Sequence, residues 1–294
     1  MISVELPNGL RVAAVNKADG AVVYHEIFEL NSYAKHGVRL TDGDCVFDVG
    51  ANIGLYSLFA ARQHKGLTIY AFEPIPAVCA ALKHNLATHV EGSRVTVFDC
   101  GLSDRSGVAC FTYDPMASFM STMRREDFWG ARPSDASLRD ILLASLADAK
   151  HTAALPAPVL AAVDRALGYR VLRPGVLLAA ALVLAAVEAR QRLFLPTVEC
   201  ALRTASDVIR EHGIARIDLL KIDVEGAELD VLRGIAVEHW ARIRQVVVEV
   251  HDVDGRVNTI TALLRSYGFQ TTVDQEALAL HKAFGIFIVY AVRG

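Results

Sequence analysis

Short apolar runs alternate with stretches of helical spacing along this chain, and the alternation predicts an α/β fold. Three strand-like runs cover residues 45–49, 67–72 and 94–99, and residues with helical spacing follow the first two. The same pattern returns in the last third of the chain, with strand-like runs at 217–223 and 244–251. Strands separated by helices form a mostly parallel sheet, and ligands then bind at the carboxyl ends of the strands.

The pattern changes between about residues 123 and 196, where prolines separate helical stretches that are rich in Ala and Leu. This change divides the chain into three parts. Residues 1–122 form an N-terminal cover and the first half of the α/β core, residues 123–196 form a helical insertion, and residues 197–294 form the second half of the core. The insertion suits either a lid over an apolar substrate or an element of a dimer contact.

Two elements are predicted ahead of the first core strand. Asn8-Gly9 is typical of the turn of a hairpin. Residues 21–35 carry apolar side chains near helical spacing, with Glu26 and Tyr33 among them. This helix either covers the open crevice and places Glu26 or Tyr33 on a ligand, or it packs as an ordinary amphipathic helix on the sheet edge.

The turn after the first core strand has the features of a ligand-binding site. It contains Asp48, Gly50, Asn52 and Gly54. The two glycines allow a positive φ and a close approach of a ligand to the backbone, and the helix after them presents unpaired N–H groups. The dinucleotide fingerprint Gly-x-Gly-x-x-Gly is not matched, because Asn52 and Leu55 stand at two of its positions.

The second core strand ends in Glu73, whose carboxylate can accept hydrogen bonds from both hydroxyls of a ribose. A nucleoside without a pyrophosphate fits this combination best, and S-adenosylmethionine is the common one. Asp48 then lies near the cationic end of the cofactor. In the alternative interpretation, Asp48 and Glu73 only cap helices. Asp99, Cys100 and Gly101 follow the third core strand and are expected to border the adenine, although each could serve only in a turn.

The last two core strands carry charges where a buried strand is normally apolar. Side chains alternate between faces, so Lys221 and Asp223 share one face of their strand, and Glu249 and His251 share one face of the next. Unpaired buried charge is unfavourable, so these groups are expected to pair with each other, with Glu225, or with cofactor or substrate. A purely structural network is the alternative.

Transfer of a methyl group from a sulfonium to an alcohol requires an in-line approach and removal of the hydroxyl proton. His251 is the best candidate for the base, because the usual pKa of histidine lies near neutrality. Asp223 or Glu225 is expected to accept the proton itself or to orient the imidazole and the hydroxyl. A metal ion held by Asp223, Glu249 and His251 is conceivable, but acid/base chemistry without a metal is favoured.

Composition narrows the choice of partners. The 294 residues carry a net charge of −3 with dispersed basic residues, which disfavours a nucleic-acid partner.

The longest apolar run, residues 176–187, is shorter than the ~18 residues of a membrane span. The first residues lack the pattern of a signal peptide, and the five cysteines, without a Cys-x-x-Cys motif, are typical of buried thiols in a reducing cytosol. We expect a cytoplasmic protein with a small-molecule or carrier-bound substrate.

Four segments contain most of these candidate residues: Val46-Phe47-Asp48-Val49-Gly50-Ala51-Asn52-Ile53-Gly54, Phe72-Glu73-Pro74, Lys221-Ile222-Asp223-Val224-Glu225-Gly226-Ala227-Glu228 and Val248-Glu249-Val250-His251. In order and content they resemble the FkbM family of S-adenosylmethionine-dependent methyltransferases. The resemblance covers most of the chain outside about 123–196, and the long insertion departs from the shorter family pattern.

The resemblance implies the class I methyltransferase fold, an α/β fold with a seven-stranded Rossmann-like sheet whose last strand, here residues 283–292, is antiparallel. It also implies O-methylation, often of hydroxyls of polyketides, glycans or related natural products. The segment from Tyr24 to Phe28, together with Tyr33, is similar to family members associated with polyketide assembly lines. A hydroxyl of a polyketide or of a carrier-bound intermediate is therefore the expected acceptor.

Other functions fit parts of the sequence. A glycan or lipid O-methyltransferase would use the same chemistry, and a nicotinamide-dependent oxidoreductase would share the fold and the ribose carboxylate. A non-catalytic module that binds S-adenosylmethionine would keep the cofactor turn without a use for His251. A nucleic-acid amino-methyltransferase is disfavoured, because Asp223-Val224-Glu225-Gly226 stands where such enzymes carry an Asn/Asp-Pro-Pro-aromatic run.

Overall fold

The computed structural model describes residues 1–16, 20, 23–115, 117–118, 121–124, 161, 165, 195–275 and 279–293. Most of the predicted insertion, including the apolar run at 176–187, lies outside these residues. The division of the chain into three parts and the two roles considered for the insertion therefore stay predictions.

The strands of the described residues are β1 (Ile2–Glu5), β2 (Arg11–Ala14), β3 (Cys45–Val49), β4 (Thr68–Phe72), β5 (Arg94–Phe98), β6 (Gly101–Leu102), β7 (Gly107–Thr112), β8 (Thr197–Arg203), β9 (Leu219–Ile222), β10 (Gln245–His251), β11 (Phe269–Asp274) and β12 (Ile286–Arg293). Their α-helices are α1 (Leu55–Gln63), α2 (Pro76–His89), α3 (Ala205–Glu211), α4 (Glu228–Arg233), α5 (Val237–Trp240), α6 (Arg256–Ser266) and α7 (Ala279–Phe284).

Seven of these strands form the central sheet, in the order β11-β12-β10-β9-β3-β4-β5. β3 pairs in parallel with β4 and β9, and β5 and β10 extend the parallel part on either side. β12 is antiparallel to both of its neighbours. This confirms the Rossmann-like class I fold, with the last strand beginning at Ile286 instead of residue 283. The chain moves outward from β3 in both directions, so the crevice for a ligand lies at the carboxyl ends of β3 and β9.

The central strands are buried on both faces, because their side chains alternate between two hydrophobic clusters. In β3, Val46 packs in one cluster and Phe47 in the other. The same alternation brings Asp48, and Lys221 on β9, to the face of Val46, and both charged side chains are buried. The first cluster also contains residues of the N-terminal segment and of α1. These elements therefore cover the charged strand ends.

The helix predicted over residues 21–35 is shorter than expected. Within the described residues it ends in a π-helical turn, His25–Glu29. Asn31 has a left-handed φ of 51°, and both the N–H and the hydroxyl of Ser32 donate to the carbonyl of Glu26. The chain therefore leaves the helical conformation before residue 35, where the helix was predicted to end. The spacing of apolar residues gives no sign of this turn.

Two small sheets accompany the central one. The first is the predicted hairpin, in which β1 and β2 are antiparallel and Asn8-Gly9 lies in the connecting loop. The second has the order β6-β8-β7 and frames the insertion. Thr112 at the end of β7 faces Thr197 at the start of β8 and is also bridged to Thr122. The chain therefore leaves the core and returns to it at one place.

Three of the five cysteines match the prediction of buried thiols. Cys79, Cys100 and Cys200 are buried free thiols and Cys45 is half-buried. Cys110 is exposed, because it lies on the outward face of β7. A helix both long enough and apolar enough to cross a membrane is absent from the part of the chain that the structure describes.

Candidate active site

The turn after β3 contains two glycines whose backbone conformation is unfavourable for other residues. Gly50 has a φ of 73° and Gly54 has a φ of 91°. A Cβ atom on Gly50 would lie 1.7 Å from the carbonyl oxygen of Asp223, and a Cβ atom on Gly54 would lie 2.7 Å from Cδ1 of Leu82 in α2. Gly50 therefore allows the ends of β3 and β9 to approach each other. The close approach of a ligand, predicted for both glycines, stays a prediction.

Glu73 is buried at the carboxyl end of β4, beside this turn. Its Oε2 accepts the N–H of Asn52 at 3.1 Å, and its Oε1 accepts the N–H of Ile75 at 2.9 Å. Asn52 has a left-handed φ of 50°. Burial raises the pKa of Glu73 to about 7, although the two backbone hydrogen bonds act to lower it. Glu73 thus joins the turn to the start of α2 through its two oxygens.

Lys221 connects the turn to the end of β9 through a buried ion pair. Its Nζ lies 3.2 Å from Oδ1 of Asp48 and 3.4 Å from Oδ2 of Asp223, and it donates to the carbonyl of Gly50 at 3.0 Å. The other oxygen of Asp48 accepts the hydroxyl of Ser57 at 2.7 Å. Burial lowers the pKa of Lys221, but the two carboxylates outweigh burial and raise it. The charge of Asp48, which we predicted to face the cofactor, is therefore balanced within the protein.

The N-terminal segment reaches the same place through Tyr33 and Glu26. The Tyr33 hydroxyl lies 3.1 Å from Oδ2 of Asp223 and 3.3 Å from Oε2 of Glu249, so it can donate a hydrogen bond to either carboxyl group. Burial raises the pKa of Glu249 well above its usual value, and Asp223 and Glu26 raise it further. A side-chain hydrogen bond with Glu26 also raises the pKa of Glu249, which favours a proton shared by the two carboxyl groups.

His251 is buried at the end of β10 between two carboxyl groups. Its Nδ1 lies 3.3 Å from Oε1 of Glu228, and its Nε2 lies 3.2 Å from Oε2 of Glu225. Burial lowers the pKa of His251, but the hydrogen bonds to Glu225 and Glu228 outweigh burial and raise it to about 10. The imidazole is therefore a cation at neutral pH. Burial raises the pKa of Glu225, and the hydrogen bond from His251 opposes this.

The acidic side chains form a compact cluster. Oxygen atoms of Asp223, Glu225 and Glu249 lie within 4.8 Å of one another. The side chains of Asp223 and Glu225 are 26% and 14% exposed, so these two carboxylates face the solvent-accessible side of the cluster. Lys221 and His251 supply positive charge beside it. Such a cluster can share protons, and its spacing is also compatible with a divalent cation.

Three predicted residues lie apart from this cluster, after β5. Asp99 is exposed, with its carboxylate 3.5 Å from Nζ of Lys83. Cys100 is buried in a hydrophobic cluster. Gly101 begins β6, and a Cβ atom there would lie 3.0 Å from Cδ2 of Leu202. Their proposed position beside adenine stays a prediction.

The site also contains residues that the sequence analysis did not single out, namely Thr122, Glu228, Arg256 and His281. The hydroxyl of Thr122 donates to the carbonyl of Glu225 at 2.5 Å. Nε2 of His281 lies 3.9 Å from Oε1 of Glu26. Glu228 stands three residues after Glu225 in one of the quoted motifs. This second glutamate, close to Gly226, was the sequence signal that could have identified Glu228 as a site residue. Thr122 and His281 lie outside those motifs.

The chain matches known methyltransferases along its length. A family profile described as the methyltransferase FkbM domain matches residues 183–271. The 31-O-demethyl-FK506 methyltransferase FkbM of Streptomyces tacrolimicus is 40% identical over 280 residues, which cover 94% of this chain and 92% of that protein. Methyltransferase sdnD of Sordaria araneosa is 33% identical over 270 residues, which cover 89% of this chain and 86% of that protein.

Two further matches are of other kinds. The AMB antimetabolite synthetase AmbE of Pseudomonas aeruginosa is 36% identical over 298 residues, which cover 99% of this chain but 12% of that protein. The crystal structure of methyltransferase FkbM from Methylobacillus flagellatus gives a TM-score of 0.45 at 12% identity and covers 92% of this chain and 52% of that one. The methyltransferases of Streptomyces tacrolimicus and Sordaria araneosa match this chain over most of its length and of their own. This chain therefore belongs to the FkbM family of methyltransferases.

Proposed function

We propose that this methyltransferase uses S-adenosylmethionine to methylate a hydroxyl of a natural product, either a polyketide or an intermediate bound to a carrier. The observation that carries the proposal is the position of Lys221, which binds both the carbonyl of Gly50 in the turn and the carboxylate of Asp223. A methyl group held at this turn would meet the ionisable side chains at the ends of β9 and β10. A relative named as a methyltransferase of 31-O-demethyl-FK506 supports an oxygen of a natural product as the acceptor.

The residues at the turn fit this cofactor. Each oxygen of Glu73 accepts one backbone N–H, and a carboxylate oxygen can accept a second hydrogen bond, here from a ribose hydroxyl. The acidic cluster suits the positive charge of a sulfonium. When bound, the cofactor supplies an activated methyl group. The other residues of the proposed cofactor site are Glu26, Tyr33, Asp48, Gly50, Asn52, Gly54, Asp99, Cys100 and Gly101.

In the proposed mechanism, Glu225 takes the proton of the substrate and His251 supports it. The hydroxyl oxygen would gain the methyl group, and its proton would move to the carboxylate of Glu225 and then to solvent. The electrons of the broken carbon–sulfur bond would stay on sulfur, so the cofactor would leave as a neutral thioether. His251 is protonated at neutral pH and stabilises that carboxylate. We therefore assign the acceptor atom to Glu225, whereas the sequence alone favoured the imidazole. Asp223, which is held by Tyr33 and Lys221, orients the hydroxyl.

The test is incubation of the protein with S-adenosylmethionine carrying a labelled methyl group and a panel of acceptors. The panel contains hydroxylated polyketides, carrier-bound acyl chains and glycolipids. We expect a labelled methyl ether on a polyketide or a carrier-bound chain, identified by mass spectrometry. Label on a glycan or lipid hydroxyl would move the assignment to that class, and label on nitrogen or carbon would contradict O-methylation.

Two controls address the remaining alternatives. Calorimetric titration with S-adenosylmethionine and with a nicotinamide dinucleotide separates a methyltransferase cofactor site from that of an oxidoreductase, and we expect heat only with the former. Activity is also measured with a chelator and after addition of magnesium. Activity that is lost with the chelator and restored by magnesium would assign the acidic cluster to a metal ion.

A further inference from the structure

Glu228 is, with Asp48, one of two carboxylates of the described site whose side chains are fully buried. It is the first residue of α4, and its side chain is 0% exposed. Its Oε1 accepts the N–H of Gly226 at 2.6 Å and faces Nδ1 of His251 at 3.3 Å. Its Oε2 lies 3.2 Å from Nη1 of Arg256. A carboxylate accepts hydrogen bonds and donates none, so each of these partners must donate to it.

These contacts determine where the imidazole of His251 carries its hydrogens. Because Glu228 is the acceptor, Nδ1 of His251 must be protonated. Nε2 lies 3.2 Å from Oε2 of Glu225. Two lone pairs at this distance would repel, so a proton on Nε2 makes the contact attractive. Arg256 donates to the carbonyl of Gly226 at 2.8 Å, so the same guanidinium holds both Glu228 and the loop in front of it.

We propose that Glu228, supported by Arg256, is a positioning residue for methyl transfer, which holds His251 with a protonated Nδ1 and keeps its Nε2 beside Glu225. The proposal rests on the function proposed above, in which Glu225 takes the substrate proton. Glu228 does not touch substrate in this role. It acts through the imidazole, which without Glu228 loses its fixed orientation and its second proton.

The variant Glu228→Gln tests this, because it removes the charge and keeps the shape of the side chain. Glu91→Gln, a change at an exposed glutamate, is the matched control. The readout is ¹⁵N NMR of the imidazole at neutral pH, with the signals of His251 assigned by their loss in His251→Asn. We expect both nitrogens to be protonated in the wild type and in Glu91→Gln, and a neutral ring in Glu228→Gln. The kcat of Glu228→Gln should fall by about tenfold or more, with unchanged affinity for S-adenosylmethionine.

A doubly protonated ring in folded Glu228→Gln, or a kcat equal to that of the wild type, would overturn the proposal. Should circular dichroism show that this variant does not fold, Glu228→Asp replaces it. That variant keeps the charge on a shorter side chain, so we expect a doubly protonated ring and a reduced kcat, and a neutral ring would contradict the proposal. The NMR measurement needs no turnover. If the ring responds as expected but the wild type methylates no hydroxyl, the contact stands and the proposed function fails.

Discussion

His251 separates two carboxyl groups that would otherwise repel each other, since it lies within 3.3 Å of both Glu225 and Glu228. We predict that His251→Ala lowers turnover by ~100-fold or more, because Glu225 then loses the imidazole that supports it as proton acceptor, and impaired proton transfer has effects on this scale. Affinity for S-adenosylmethionine should change little, because the contacts of Glu73 with the turn do not involve His251. Single-turnover kinetics and calorimetry measure the two effects. His84→Ala, on the exposed side of α2, is the control, and full activity of His251→Ala would remove the imidazole from the mechanism.

The pKa of Glu73 leads to a second prediction about a single residue. Burial raises this pKa to about 7, so the side chain is a carboxylate above that pH and increasingly a neutral acid below it. A neutral carboxyl accepts fewer hydrogen bonds from a ribose. Affinity for S-adenosylmethionine should therefore be constant above about pH 8 and weaken as the pH falls below about 7. Calorimetry across this range measures it, and Glu73→Gln should bind more weakly with little dependence on pH. A pH dependence that persists in Glu73→Gln would point to another group.

At the scale of elements, the loop from β9 to α4 is held by side chains from other parts of the fold. Glu225 has a left-handed φ of 53°, which is unfavourable for a residue with a side chain. The hydroxyl of Thr122 donates to its carbonyl, and Glu228 and Arg256 hold the N–H and the carbonyl of Gly226. The residue that starts the segment toward the insertion therefore helps to set the conformation of the proposed proton acceptor.

Replacement of Thr122 by Val tests this connection. The change removes the hydroxyl, keeps the shape, and leaves the carbonyl of Glu225 without this donor. We predict a loss of about 1–3 kcal/mol in the free energy of unfolding and a lower kcat at unchanged affinity for S-adenosylmethionine. Thr88→Val is the control, because the Thr88 hydroxyl also donates to a carbonyl, that of His84, but in the exposed helix α2. Equal effects of the two variants on kcat would exclude a specific role for Thr122.

The local pattern of apolar and polar residues was sufficient to predict the strands, but it was insufficient to predict the contacts between them. Alternation along β9 and β10 placed Lys221, Asp223, Glu249 and His251 at one edge of the sheet, because side-chain direction in a strand depends only on position. The hydrogen bond between Lys221 and the carbonyl of Gly50 joins residues 171 positions apart, and sequence spacing contains no information about it. For the same reason, Gly50 was attributed to a ligand although Asp223 already requires a glycine there.

At the scale of the whole molecule, two segments far apart in the sequence, residues 26–33 and 281–290, close against each other. The hydroxyl of Tyr290 on β12 donates to the carbonyl of Ser32 at 2.6 Å, which fixes the N-terminal segment next to Tyr33. His281 on α7 lies against Glu26 of that segment. The resemblance to a known family predicted the sheet and its antiparallel last strand correctly, since topology is common to the family. It did not predict this closure, which depends on a tight turn at Asn31 that helical spacing does not reveal.

The position of the insertion allows it to be tested as a separable part. Thr112 pairs with Thr122 on one side and with Thr197 on the other, so these two residues are two strand spacings apart, or about 10 Å. A Gly-Ser linker of about six residues can span this distance in place of residues 125–194. We predict that the shortened protein folds and binds S-adenosylmethionine as the full chain does, because the turn, Glu73 and the acidic cluster lie outside the deletion.

Light scattering and turnover of the shortened protein then distinguish the two interpretations of the insertion. Lost methylation of the acceptor with an unchanged number of chains per particle indicates a lid that helps to hold the substrate. Conversion of a dimer to a monomer indicates a subunit contact instead. A shortened protein that folds but no longer binds the cofactor would contradict the division of the chain into a core and an insertion, because binding would then require residues between 125 and 194.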